Sequence, residues 1–310
     1  MLKKSILGLV LGAASLFSAD CFFFTPQMIE SHLTTYNDAE KAAIAQDLEV
    51  VHSICLPELT GPSENRRPVY LATAGAPGAR KSTILERFIR DHVSLPQIAY
   101  IDPDQRTLKF MAHTYYSQSL SALQLGSYSH YATAVKNAYE KWRGASNYIS
   151  LTLLEEAFAE RRHIAHGTTL TGEHVSKFLS TVKDAGYDIT LLLCSCEDDF
   201  RYNAIQYRNE EQRFYQCSPE DAVSKGKAFP QRMSAYFTFA DTIYLFWSDD
   251  LATQERLAAK LTHGNLEVLD AQAFDLFVQK FEEDREMLTG EDKQILSWDE
   301  LLDLYRSRFL

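Results

Sequence analysis

The stretch Val69–Thr83, VYLATAGAPGARKST, decides the fold. Five residues of mostly apolar, strand-like character (Val69 to Thr73) run into a Gly/Pro turn. The triplet Lys81-Ser82-Thr83 then opens an amphipathic helix that carries Leu85, Phe88 and Ile89. A strand, a tight loop and a helix beginning with Lys and a hydroxyl make a phosphate-binding loop. Loop N–H groups and the positive end of the helix dipole converge on phosphate oxygens. Gly75, Ala76, Pro77, Gly78, Ala79 and Arg80 form the loop and Thr83 follows it. Lys81 is placed to reach the β/γ-phosphates and Ser82 to hold Mg²⁺. Arg80 stands where the pattern G-x-x-x-x-G-K-[ST] has Gly. If that position needs φ > 0, Arg80 costs about 1 kcal/mol or more. The competing reading is a strand-to-helix turn that binds nothing.

The chain has 310 residues, enough for one elaborated domain or two modest ones. Its formal charge of −11 argues against sequence-independent nucleic-acid binding, which needs a basic footprint. Five cysteines give no disulfide framework. Cys194 and Cys196 lie two apart in an apolar run and read as core thiols on one strand face. Cys55 and Cys217 are isolated and lack zinc-site spacing.

The N-terminus has a basic start at Lys3-Lys4, twelve apolar residues from Ile6 to Phe17, and small residues to Ala19. That is the layout of a secretory signal over residues 1–20, too short to span a membrane. The expectation is export or delivery into another cell; the alternatives are a cytoplasmic protein, its N-terminus a buried helix, or an anchor extended by Phe22, Phe23 and Phe24. No later stretch reaches 18 apolar residues, so no integral membrane domain is expected beyond the signal.

Thr25-Pro26 reads as the cap and first residue of a helical segment reaching about Leu48, within an N-terminal extension and linker over 21–66. From the phosphate loop onward, strands are expected at Ile98–Ile101, His163–Thr169, Tyr187–Cys194 and Thr242–Trp247, with helices between them. Residues 105–161 read as mainly helical. Alternation of this kind predicts an α/β fold, a parallel sheet of about five strands covered by helices over 67–250. A C-terminal helical region, 251–310, ends in a capping box from Ser297 to Glu300.

Ligands of open α/β sheets sit at the carboxyl ends of strands. Asp102 and Asp104 fall there after the second strand, and Gly167-Thr168-Thr169 after the third. Asp104 reads as a carboxylate beside the γ-phosphate, accepting a substrate proton or helping to hold Mg²⁺. Otherwise it caps a helix starting near Gln105, and Asp102 turns the chain. Arg201, Arg208 and Arg213 supply cations for the transferring phosphoryl group, or else pair with surface acids. His163 and His166, three apart on a strand, face opposite sides and do not read as a metal site.

VYLATAGAPGARKST, then AYIDPDQ, HGTTL, GYDITLLL and NAIQYRNEEQRF leading to KAFP, resemble the zeta-toxin family of P-loop kinases over roughly residues 67–250. The resemblance implies that Asp104 is the general base and that Lys81 and Ser82 serve phosphate and Mg²⁺. It also implies that Thr168 and Thr169 form a substrate-side loop, and it puts Arg208 and Arg213 in the family's arginine segment. The implied reaction passes the γ-phosphoryl of ATP or GTP to a hydroxyl of a small nucleotide-linked substrate resembling UDP-N-acetylglucosamine. An antitoxin-like inhibitor is an implied partner. Gly167 stands where family members often carry Glu, and Gln206 where an Arg is common. With Arg80, these departures motivate a second reading, a catalytically degenerate P-loop protein that binds nucleotide or a partner without turnover.

Overall fold

A computed structural model describes residues 23–56, 67–92, 98–122, 128–210, 214–215, 217, 219–288 and 295–310. The expected signal at residues 1–20 and the candidate Arg213 lie outside the described residues. Among the described residues no helix is long and apolar enough to cross a membrane.

Two helices lead in, α1 (Pro26–Ser31) and α2 (Asp38–Cys55), in place of the single expected segment. Thr25 caps α1 through its side chain, with Pro26 at the first position as expected, and Asn37 and Glu40 form a capping box on α2. The core then alternates. The chain runs β1 (Val69–Ala74), α3 (Lys81–His92), β2 (Ile98–Ile101), α4 (Tyr115–Ala122), α5 (Tyr128–Ala159), β3 (His163–His166), α6 (Val175–Asp184) and β4 (Asp188–Cys196). It continues through α7 (Asp198–Glu210), α8 (Pro219–Gln231), α9 (Met233–Phe239), β5 (Thr242–Ser248), β6 (Arg256–Thr262), β7 (Asn265–Val268), α10 (Ala271–Leu288) and α11 (Trp298–Ser307).

The sheet has seven strands in the order β2-β3-β1-β4-β5-β6-β7. The first five are parallel, as the alternation predicts, and β6 and β7 add antiparallel. This corrects the expectation of about five strands followed only by helix. Residues 256–268 form a hairpin, turned by His263 and Gly264 at φ 49° and 79°, the left-handed pair that a two-residue turn needs.

Period-2 alternation divides the core between the two sheet faces. Leu71, Leu192, Cys194, Cys196 and Phe246 pack with Ile84, Leu85 and Phe88 of α3. Tyr70, Ile189, Leu191, Leu193 and Leu245 pack into the larger cluster with α5, α6 and the C-terminal helices. Cys194 and Cys196 are free, buried core thiols, as their spacing predicts. The apolar stripe of α3 fixes the helix against the sheet, each buried side chain contributing about 1.5–3 kcal/mol. That packing sets the direction of the helix N-terminus and so of Lys81 and Ser82.

Candidate active site

Every sheet residue that feeds the site leaves the carboxyl end of a parallel strand. β1 ends in the loop Gly75–Arg80, where Gly75 (φ 147°) and Gly78 (φ 92°) take conformations that side chains rarely adopt. Space is short as well. A Cβ on Gly75 would lie 2.3 Å from Cys194 O, and one on Gly78 2.4 Å from Arg201 O. Arg80 does adopt φ 53°, so the strain anticipated at this position is present. Its side chain leaves the loop for β6, its Nε lying 2.7 Å from Glu255 Oε1.

Lys81 Nζ donates to Ala76 O at 2.7 Å, folded back over the loop. Burial pushes its ammonium down to about 8. Ser82 Oγ donates to Asp102 Oδ2 at 3.2 Å. Asp102 Oδ1 accepts from Asp104 N and Gln105 N, both at 2.8 Å. Asp102, and not Asp104, is therefore the residue that caps the turn of π-helical geometry over Pro103–Thr107. It also reaches the loop hydroxyl, beyond the chain-turning part the sequence suggested for it. Burial and then the Asp104 charge push the Asp102 carboxyl up to about 6. The Asp-Pro-Asp after β2 was the available signal for this second carboxylate.

Asp104 faces the same cavity, ion-paired with Arg143 of α5. Nothing in the motif pattern pointed to Arg143, because it lies on the long helix between β2 and β3. Thr168 and Thr169 are laced to the phosphate loop. Thr73 Oγ1 donates to Thr168 O at 2.7 Å, and Gly75 N donates to Thr169 O at 3.1 Å.

Together these residues line a cavity of about 580 Å³ bounded by Gly78–Thr83, Asp102–Gln105, Gly167–Thr169, Arg208 and Leu251. Besides Arg80, whose guanidinium is turned to Glu255, five cationic side chains (Lys81, Lys109, Arg143, Arg208, Lys225) line it with three carboxylates (Glu86, Asp102, Asp104). In a chain of net charge −11, positive charge is thus concentrated in one hollow. The buried Nε of Arg208 has no hydrogen-bond partner among the described residues. Arg201 does not join it. Arg201 Nη2 donates to Asp198 Oδ1 at 2.6 Å and Nη1 to Ala222 O at 3.1 Å. Cys217 lines the cavity, but burial pushes its thiol up, away from the thiolate a nucleophile needs.

His163 Nδ1 accepts from Val69 N at 3.0 Å, while His166 Nδ1 and Tyr70 Oη lie 2.7 Å apart. Burial pushes His166 down to about 4. Among the described residues no group of three or more His, Cys, Asp or Glu could hold a metal. Mg²⁺ needs no such group, since it takes one or two carboxylates plus phosphate oxygens and water. The hard oxygens of Ser82 and Asp102 fit that donor set.

The profile of the zeta toxin family matches residues 58–233, more than half of the chain. The chain belongs to the zeta toxin family. No curated protein matches it. Among solved structures, this zeta toxin family member is similar to the AvrRxo1-ORF1:-ORF2 complex in its native form, with a TM-score of 0.55 and 14% identity over 94% of this chain and 95% of the other. The same complex with ATP gives 0.54 and 13%, covering 94% and 96%. With sulphate ions it gives 0.50 and 15%, again covering 94% and 96%. At these identities the likeness speaks for the fold alone.

Proposed function

We propose that this protein transfers the γ-phosphoryl group of ATP or GTP to a hydroxyl of a small nucleotide-linked substrate. One observation carries the reading: Asp104, Lys81 and the Ser82–Asp102 pair open into the same cationic cavity. A neighbour of the same fold solved with ATP lends support. The loop N–H groups and Lys81 bind the phosphates, and Arg208 supplies a cation for charge that develops on the transferring group. Ser82 and Asp102 would hold Mg²⁺, which, when bound, neutralises phosphate charge. Asp104 accepts the proton of the acceptor hydroxyl, and Thr168 and Thr169 bound the acceptor side. Arg143 pairs with Oδ1 of Asp104 inside the cavity, where it could also meet an anionic group of the acceptor.

Protein lacking residues 1–20 should transfer phosphate from ATP, and Lys81→Ala should abolish the transfer. Equal activity of the two proteins would end the catalytic reading. The second reading, nucleotide binding without turnover, is favoured by the occupied Asp104 carboxylate. Calorimetry that finds ATP bound, with no phosphoryl transfer to any acceptor, would select it.

Export through the N-terminal signal and an antitoxin-like inhibitor are further parts of the proposal. A full-length cytoplasmic product in fractionated source cells would remove the first. The relatives were solved as complexes, and failure to co-purify any inhibitor from source cells would weigh against the second.

A further inference from the structure

Arg80 holds a left-handed backbone, φ 53°, immediately before Lys81. A side chain there is strained where glycine would not be, so its anchorage matters. Arg80 Nε lies 2.7 Å from Glu255 Oε1, and Nη1 donates to Thr253 O at 2.8 Å and Asp250 O at 3.1 Å. Two turns further along α3, Arg87 Nη1 lies 2.6 Å from Glu255 Oε2 and Nη2 donates to Glu255 O at 3.2 Å. Glu255 is 4% exposed, so two guanidiniums from the phosphate-loop side answer one buried carboxylate. Asp250 Oδ1 accepts from Ala252 N and Thr253 N at 2.7 and 2.6 Å, which folds the 249–255 connection into a turn. From that turn Leu251, 41% exposed, lines the same cavity as Lys81 and Asp104.

The sheet order fixes direction. Asp104 follows β2 on one flank of β1, and the 249–255 turn follows β5 on the other. A triphosphate with its γ end at Asp104 and its middle on Gly75–Ser82 sends its nucleoside toward 249–255. We propose that Arg80 is a positioning residue: with Glu255 it holds the 249–255 turn as the wall on which the donor nucleoside rests, with Leu251 as the apolar contact. The inference rests on the phosphate-loop reading of the cavity. Glycine at this position would give the turn without strain but would remove the contacts to Glu255, Thr253 and Asp250, leaving Arg87 alone to tie Glu255 to α3.

The test is calorimetric affinity for ATP and for inorganic tripolyphosphate, each with Mg²⁺. It compares the wild-type protein with Arg80→Gly, Glu255→Gln, Leu251→Ala and Lys81→Ala. Arg80→Gly is compatible with the backbone, so it stays informative if Glu255→Gln fails to fold. The first three variants should weaken ATP about tenfold while leaving tripolyphosphate within about twofold, and Lys81→Ala should weaken both. An Arg80→Gly protein that binds ATP as tightly as wild type, or that loses both ligands equally, overturns the inference alone. Wild-type protein that binds neither ligand overturns the phosphate-loop reading and this inference with it.

Discussion

Gly167 and Asp102 face each other so closely that a Cβ on Gly167 would lie 2.2 Å from Asp102 Oδ2 and 2.6 Å from its Cγ. The same Oδ2 accepts the Ser82 hydroxyl. Glycine at 167 therefore leaves room for the carboxylate that meets the phosphate loop. Gly167→Ala should push Asp102 off Ser82, costing about 1–3 kcal/mol of stability by overpacking and weakening Mg²⁺-dependent nucleotide binding. Asp102→Ala in the same chain removes the two shortest contacts and leaves only the Asp102 Cβ, at 2.8 Å, so the two stability losses should not add. Denaturant midpoints of the four proteins measure the coupling, and strict additivity would contradict this geometry.

Glu155 on α5 accepts from the backbone N–H of Phe24, and burial pushes its carboxyl up to about 7. A carboxyl whose folded value lies above its unfolded one (4.5) favours the native state while protonated. Its contribution is full below about 4.5 and is lost as pH rises toward 7. The melting temperature of wild type should therefore fall relative to Glu155→Gln between pH 5 and pH 7.5. Parallel curves for the two proteins would show that Glu155 is not perturbed.

Phe158 is the hub of an aromatic cluster, stacked on Phe23 at 3.7 Å and edge-on to Phe178 and Tyr187 at 6.3 and 5.3 Å. It is 5% exposed. Phe158→Ala should cost about 3–5 kcal/mol in chemical denaturation. A loss below about 1 kcal/mol would mean that the cluster, and with it the docking of residues 23–24 on α5, is looser than drawn here.

The parallel core could be read ahead of the structure because its signals were local. Gly75, Pro77 and Lys81-Ser82 mark a strand-to-helix turn, and runs such as Asp188–Cys196 are too apolar for anything but a strand buried on both faces. The β6–β7 hairpin was missed because Leu257, Ala258, Ala259, Lys260 and Leu261 all favour helix. Pairing with β5 overrides that preference, and the His263-Gly264 turn was the one cue. Arg143, Glu255 and the Ser82–Asp102 contact depend on residues 20 to 175 positions apart, which no window of sequence brings together. Arg201 and Arg208, seven apart on α7, share a helical face, yet Arg201 packs against Gly78 and Gly226 and pairs with Asp198 while Arg208 lines the cavity.

In the proposed reaction Asp104 acts on a hydroxyl held beside a loop-bound triphosphate. The most direct measurement incubates ATP, Mg²⁺ and a pool of small nucleotide-linked metabolites with wild-type, Asp104→Asn and Lys81→Ala proteins, and reads products by mass. The account predicts one class of metabolite gaining a phosphoryl group with wild type only, while Asp104→Asn still binds ATP. Undiminished transfer by Asp104→Asn would contradict it.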